Sequence, residues 1–194
     1  MSFRFELKLP GPTAECAALV AKLKALGAVP LYPPRLIASD YYDTSELDFV
    51  RESQEGSVPR KKIRIRYYPK DLEGLSLESN VNFSLETKVS APEGRFKTTR
   101  KIDFQEVRYM QTNGIFHPEH GVLKPSVRVI YEREYYMLDD VRLTYDTNIR
   151  SFRLRNMYKY RYVGANRTKS VVEMKSQSSE SNLITDLTSG VRLE

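Results

Sequence analysis

The stretch Lys62-Ile63-Arg64-Ile65-Arg66-Tyr67 decides how this chain is read. Apolar and basic residues alternate over a β-branched run, which describes a strand with two unlike faces. Ile63, Ile65 and Tyr67 point one way, and Lys62, Arg64 and Arg66 the other. Three like charges on one strand face repel one another unless anions meet them. A single strand of this kind is most simply an exposed strand with a solvated basic face. The pattern recurs along the chain, however, with acids mixed in.

Working outward, Phe3 to Leu9 alternates Phe3, Phe5, Leu7 and Leu9 against Arg4, Glu6 and Lys8, a strand that Pro10-Gly11-Pro12 should end. Thr13 is placed to cap a helix running to Leu26, with Glu15 in its first turn and Gly27 after its last. Leu19, Leu23 and Leu26 form its apolar stripe, and Cys16 reads as packing. Pro30, Pro33 and Pro34 mark a loop. Ile37 to Thr44 reads as a strand, Ser45 to Val50 as a short helix or turn, and residues 51–60 as polar and mobile.

Beyond the basic strand, Pro69 to Asn82 is a polar connection. Phe83 to Val89 is a strand with Glu86 and Lys88 on one face. Ala91-Pro92-Glu93-Gly94 turns the chain into a hairpin partner, Phe96 to Phe104. Residues 105–126 read as irregular, starting helical. Val127 to Met137 is a long strand, Asp139-Asp140 a turn, and Val141 to Asn148 the next strand. Ser151 to Val163 reads as a further strand pair and Val171 to Lys175 as a last strand. A polar linker, Ser176 to Ser181, and a short terminal helix, Asn182 to Glu194, complete the expectation. No repeat appears, and residues 1–194 read as a single domain.

Composition sets bounds on function. At 194 residues, 40% hydrophobic and 29% charged, the chain can bury a sizeable core. No apolar run approaches the length of a membrane span, and the N-terminus shows no apolar signal core. One cysteine, Cys16, permits no internal disulfide, so a reducing cytoplasm is the simplest expected home. A net charge of +6 suggests anionic partners: nucleic acid, phosphates or an acidic surface. His117 and His120 lie in His-Pro-Glu-His, where Pro118 disfavours a helix, so the spacing reads as no zinc motif and metal binding is not expected there. No glycine-rich phosphate loop and no Ser/His/Asp pattern stands out.

Six segments place charged or phenolic residues at alternating positions: Arg4/Glu6/Lys8, Arg64/Arg66, Glu86/Lys88, Tyr131/Arg133, Arg142/Asp146 and Glu173/Lys175. In several the opposite face is strongly apolar. A half-buried sheet would turn the charges to water. A closed antiparallel barrel instead lets charges line a central tunnel while apolar faces pack against outer helices. Bases so placed chelate a polyanion, and a few carboxylates hold a divalent metal that bridges phosphate oxygens.

The ordered set Arg4-Phe-Glu-Leu-Lys8, Tyr41-Tyr-Asp-Thr44, Arg60-Lys-Lys-Ile-Arg-Ile-Arg66, Leu85-Glu-Thr-Lys88, Lys124-Pro-Ser-Val-Arg-Val-Ile-Tyr-Glu-Arg133, Arg142-Leu-Thr-Tyr-Asp146 and Val171-Val-Glu-Met-Lys175 resembles the triphosphate tunnel metalloenzymes. More narrowly it resembles the VTC domain, the polyphosphate polymerase domain of vacuolar transporter chaperone proteins. The N-terminal Glu-x-Lys lacks the extra glutamate of the hydrolytic tunnel enzymes, which favours the VTC branch. Family members usually end in a longer helix carrying a base; here the residues after Lys175 hold one, Arg192.

The resemblance implies an α+β fold, an antiparallel β-barrel of the triphosphate tunnel type with a few flanking helices. It implies that Arg64, Arg66, Lys88, Arg133 and Arg142 bind phosphates, with further contacts from Lys8 and Lys175. Tyr131 would donate a hydrogen bond to a phosphate oxygen. Glu173 would be a metal ligand for Mg2+ or Mn2+, with Glu6 a second candidate. For Glu6 and Glu86 two roles stay open, binding metal or neutralising a neighbouring Arg. Lys97, Arg100 and Arg128 are further candidates, though Arg128 needs a bulge to share the parity of Tyr131 and Arg133.

The implied activity is metal-dependent transfer of the ATP γ-phosphoryl group to a polyphosphate chain. The alternatives are a triphosphatase acting on inorganic or nucleoside triphosphate and a non-enzymatic polyphosphate or nucleotide binder. The polyphosphate acceptor oxygen is already ionised near neutral pH, so alignment and charge neutralisation suffice without a general base. Expected partners are ATP, triphosphate or polyphosphate, and a membrane protein partner is compatible. No specific nucleic acid is expected, although Arg155, Tyr158, Tyr160, Arg161 and Tyr162 would permit a basic RNA-binding β-domain.

Overall fold

A computed structural model of the protein describes residues 5–70, 81–156, 159–166 and 168–176. The elements run β1 (Phe5–Pro12), α1 (Thr13–Ala25), β2 (Val29–Asp43), α2 (Asp48–Glu55), β3 (Arg60–Tyr67), β4 (Phe83–Ala91), β5 (Gly94–Ile102), α3 (Phe104–Asn113), β6 (Ile115–His117), β7 (Gly121–Leu138), β8 (Val141–Asn156), β9 (Lys159–Asn166) and β10 (Lys169–Ser176). Strand pairing follows the path β1-β10-β8-β7-β2-β3-β4-β5, with β6 on β7 and β9 on β8. The fold is thus α+β and dominated by antiparallel sheet. Among the described residues β1 and β5 end the path, so the pairing does not close into a complete barrel.

The chain forms two compact units, Met1–Arg35 with Tyr131–Ile149 and Ala165–Glu194, and Leu36–Ile130 with Arg150–Gly164. In the first unit, β1 pairs with β10 and β10 with β8. Leu7, Leu9, Val172, Met174, Leu143 and Tyr145 share one face, against which α1 packs Cys16, Leu19, Val20 and Leu23. Each such side chain contributes about 1.5–3 kcal/mol on burial. Helix α1 stops as its sequence demands. Gly27, at φ +103°, donates to the Lys24 carbonyl, and Ala28 donates to that of Leu23, both at 3.0 Å, the paired bonds of a Schellman ending. Thr13 opens the helix without capping it; its hydroxyl instead bonds that of Ser170 at 3.0 Å.

In the second unit, β2-β3-β4-β5 pack Ala38, Tyr42, Ile63, Ile65, Tyr67, Phe83 and Ile102 with Phe49 of α2 and Val107 of α3. Asp43 caps α2: its carboxylate accepts the Phe49 and Val50 N–H groups at 2.9 and 3.1 Å.

Several expected boundaries move. Pro10 to Pro12 continue β1, an end strand where missing N–H groups are tolerated. Pro30, Pro33 and Pro34 lie inside β2 rather than in a loop, because proline's φ suits extended backbone. The pairing of β2 with β3 covers only Ala38 to Tyr42, past those prolines. Residues 51–60, expected to be mobile, finish α2 and begin β3. Residues 105–126 are not irregular but hold most of α3, all of β6 and the start of β7. Ser151 to Val163 does hold a strand pair, the end of β8 and the paired β9; the difference is that β8 is continuous from Val141 to Asn156, passing Asn148 at φ +52°, a conformation asparagine tolerates. The expected terminal linker beyond Ser176, the terminal helix with Arg192, and most of the polar connection before Asn82 lie outside the described residues, as does Arg4.

Candidate functional site

In the second unit the strand register assembles one face row by row. Ser39, Arg66, Ser84 and Lys101 align across β2-β3-β4-β5, followed by Tyr41, Arg64, Glu86 and Thr99. The next rows are Lys62, Lys88 and Lys97, then Arg60, Ser90 and Arg95. Glu86 is the one acid in these rows. Arg64 is only 9% exposed, which rules out a solvated basic face at its centre. Its Nε and Nη2 donate to one Glu86 oxygen at 2.8 and 2.6 Å, and its Nη1 donates to the Tyr41 hydroxyl at 3.0 Å. Lys97 donates to the other Glu86 oxygen at 2.8 Å. Glu86 therefore neutralises bases. Burial pushes its carboxyl up, but Lys97 and Arg64 more than reverse this, holding it at about 2.

Lys62, Lys88 and Lys97 stand directly opposite one another, an arrangement that costs stability between like charges. Lys88 also has a lowered pKa, chiefly from other causes. Loss of solvent around its amine and the positive charges of Arg64 and Arg66 bring its pKa down to about 8. Arg66 is half-buried and reaches the Ser39 hydroxyl at 3.5 Å. Arg100 belongs elsewhere. It aligns with Leu85 on the opposite face and pairs with Glu106 at 2.6 Å.

The first unit builds a different face. Glu6, Lys175 and Arg142 align across β1-β10-β8, and beside them Lys8, Glu173 and Thr144. Glu173 is buried. Lys8 Nζ lies 3.4 Å from its Oε1 and Lys175 Nζ 3.3 Å, and the same two ammoniums stand 3.9 and 3.7 Å from Glu6 Oε1. Two carboxylates and two bases thus form a closed charge ring. Burial pushes the Glu173 carboxyl up; contact with Glu6 and the two ammoniums hold it well below the usual range. Arg133 grips Asp146 with two bonds of 2.5 and 2.6 Å and stacks over the Tyr131 ring at 5.2 Å. Burial disfavours its charge, but Asp146 and Tyr131 push its pKa up, so it stays protonated. Arg142 is exposed.

The residues expected to hold a divalent cation carry suitable donors, which Lys8 and Lys175 face here and would have to yield. Glu173 and Glu6 offer hard carboxylate oxygens. Thr144, directly opposite Glu173, has a buried Oγ1 with no hydrogen-bond partner, an oxygen that a hydrated ion would satisfy.

One buried group escaped the sequence reading. Asp40 is fully buried and takes Arg128 Nε and Nη2 at 2.6 and 2.8 Å and the Gln111 amide at 2.8 Å. Arg128 lies over the Tyr67 ring at 5.5 Å. It is therefore part of a buried ion pair in the core of its unit. Asp40 carried no signal of this, because its partners come from positions 111 and 128, far along the chain.

Comparison with known proteins adds the class. A Bacillus halodurans protein described as a candidate adenylate cyclase superposes with a TM-score of 0.62 at 14% identity, covering 100% of this chain and 94% of its own. A Hippeastrum protein, described as an adenylyl cyclase candidate with dominant triphosphatase activity, gives 0.50 at 16% identity, covering 97% of this chain and 85% of its own. A chain of the Schizosaccharomyces pombe Mediator head module gives 0.53 at 13% identity, covering 96% and 94%. At these identities the likeness is one of fold, and the fold is that of the triphosphate tunnel class. No curated protein sequence matches the chain. The model of the VTC domain family matches residues 16–194, and the chain belongs to that family.

Proposed function

We propose that this domain, acting as a single functional unit, binds the phosphate chain of ATP and of polyphosphate and transfers the ATP γ-phosphoryl group to the polyphosphate end. The observation that carries the reading is the β3-β4-β5 face. Aligned rows bring Arg60, Lys62, Arg64, Arg66, Lys88, Arg95, Lys97 and Lys101 together around one acid, Glu86. Such a face is stabilised by a polyanion that runs along it rather than by a single phosphate. Glu86 and Tyr41 hold the Arg64 guanidinium in place, so its remaining N–H groups are oriented before ligand arrives. Asp146 does the same for Arg133, and Tyr131 beside it can donate its phenolic proton to a phosphate oxygen.

Lys8, Lys175 and Arg142 add positive charge on the first unit's face. Glu173, with Glu6, would hold Mn2+ or Mg2+, which when bound neutralises phosphate oxygens. No base is needed for the acceptor, and neither charged face includes a histidine.

Triphosphate hydrolysis is the second reading, favoured by the activity described for the Hippeastrum protein. Incubation with ATP and Mn2+, followed by gel staining for polymer and assay of free phosphate, separates the two. Polymer is the expected product. Phosphate release without polymer would replace transferase by hydrolase, and neither product would leave a binding domain.

A further inference from the structure

Away from both charged faces, the β6-β7 hairpin gathers a separate set of donors. β6 ends at His117 and β7 begins at Gly121, its Cα partner across the hairpin. Between them Pro118-Glu119-His120 makes a tight turn, closed by the His120 N–H donating to the His117 carbonyl at 3.3 Å. One ligand atom from each of His117, Glu119 and His120 lies within 4.8 Å of the others. Pro118 rules out the helical route to such a group; the hairpin reaches it another way.

The donors are held in place. Phe49 of α2 meets both imidazoles nearly edge-on, at centroid distances of 6.1 and 4.9 Å. The two imidazole centroids are 5.0 Å apart, and both residues are half-buried. His120 Nε2 is 3.8 Å from a Glu119 carboxylate oxygen. The Glu119 N–H donates to His117 Nδ1 at 3.3 Å, so that nitrogen carries a lone pair. Lys61 meets the Glu119 carboxylate from the side.

We propose that His117, Glu119 and His120 bind one divalent transition cation of the zinc class, with water completing the coordination, and that the ion pins the β6-β7 hairpin. Two imidazoles and a carboxylate suit zinc and its neighbours and are poor for Mg2+. Bond lengths near 2.0–2.1 Å put the ligand atoms of a tetrahedral site about 3.3 Å apart. The observed 3.8 Å is close, and small rotations of the side chains close the rest. The ion displaces Lys61 from Glu119 and replaces the long hydrogen bond at His117 Nδ1. The Lys61–Glu119 pair has its carboxylate in solvent and is worth only about 0–1 kcal/mol, so it offers weak competition. The site is independent of the triphosphate reading and uses none of its residues.

Titration of the metal-free chain with Co2+, followed by its visible absorption, and with Zn2+ by calorimetry tests the assignment. One ion per chain is expected, with an imidazole-type Co2+ spectrum. His117→Gln and His120→Gln should each weaken binding by roughly tenfold or more and erase the thermal stabilisation that Zn2+ confers on the parent. Lys61→Met keeps all three donors and removes the competing cation, so binding should hold or tighten. Zinc affinity unchanged in both histidine variants, or no binding by the parent at micromolar ion, overturns the proposal. Weaker binding by a folded Lys61→Met variant, or parent-like binding by Glu119→Gln, removes Glu119 from the site and overturns the proposal as stated.

Discussion

Arg66 and Glu173 carry opposite charges and should fail in different ways. Arg66→Ala removes a charge-assisted phosphate contact, worth roughly 1.5–3 kcal/mol. It should weaken triphosphate binding by that amount with or without metal, as calorimetry would read. Glu173→Gln removes a metal ligand and a negative charge between Lys8 and Lys175. It should abolish metal-dependent turnover while sparing or tightening metal-free triphosphate binding; full metal-dependent activity in the variant would end the assignment. Asp40 is a different case. Asp40→Ala strands the Arg128 charge in the core, and breaking a buried pair costs about 3–5 kcal/mol. Denaturant unfolding should show that loss; a change under about 1 kcal/mol would mean that water reaches Arg128. The alternation along β3 exposed Arg66 to sequence reading, and the resemblance of the late Glu173-Met-Lys175 motif marked Glu173. Asp40 sits between Ser39 and Tyr41 with nothing to mark it, since its role depends on partners at 111 and 128.

At the scale of elements, the β3-β4-β5 sheet predicts a pH effect. Lys88 falls from the ordinary lysine range to about 8 in the unliganded fold. A lowered lysine pKa disfavours the charged form, so its cost to stability is present below pH 8 and relieved as pH rises from there towards the ordinary lysine range. Triphosphate favours the charged form and binds with proton uptake. Affinity should therefore fall as pH rises above 8, by no more than about tenfold per pH unit for one proton. Because Lys88 is exposed, solvent screens part of the effect. Lys88→Met should flatten the profile between pH 8 and 10, and an unchanged slope would assign the proton elsewhere.

The stop of α3 gives a second element-scale test. Gly114 has φ +90°, and a Cβ there would lie 2.4 Å from the Leu123 carbonyl oxygen. Gly114→Ala should destabilise the fold by more than about 1 kcal/mol in thermal melts; a neutral result would show that the hairpin can shift. Helix α3 itself was written in the sequence. Asp103 and Glu106 form a reciprocal capping box, and Gly114 ends the helix. The region reads as irregular only when apolar periodicity is the sole guide.

For the molecule as a whole, a charged face without its anion stores repulsion that ligand relieves. Millimolar triphosphate with Mn2+ should raise the melting temperature by mass action, and no shift would count against the phosphate site. No described helix is long and apolar enough to cross a membrane. Side chains in the Arg155 to Tyr160 stretch fall outside the described residues; Tyr162 is exposed and meets the Phe152 ring at 5.4 Å.

What the chain's own order determined was the strand content, the two-faced alternation and the ordered motifs of the family. Those signals are local: a period of two needs only neighbours. What tertiary structure alone decided was which charges meet. Glu86 found Arg64 and Lys97, Asp146 found Arg133, and Asp40 found Arg128, because strand register and helix packing set those distances. His117 and His120 were brought together by a hairpin whose closure depends on pairing with β7. Pairing between distant segments is chosen by burial and register over the whole fold, and no local pattern specifies it.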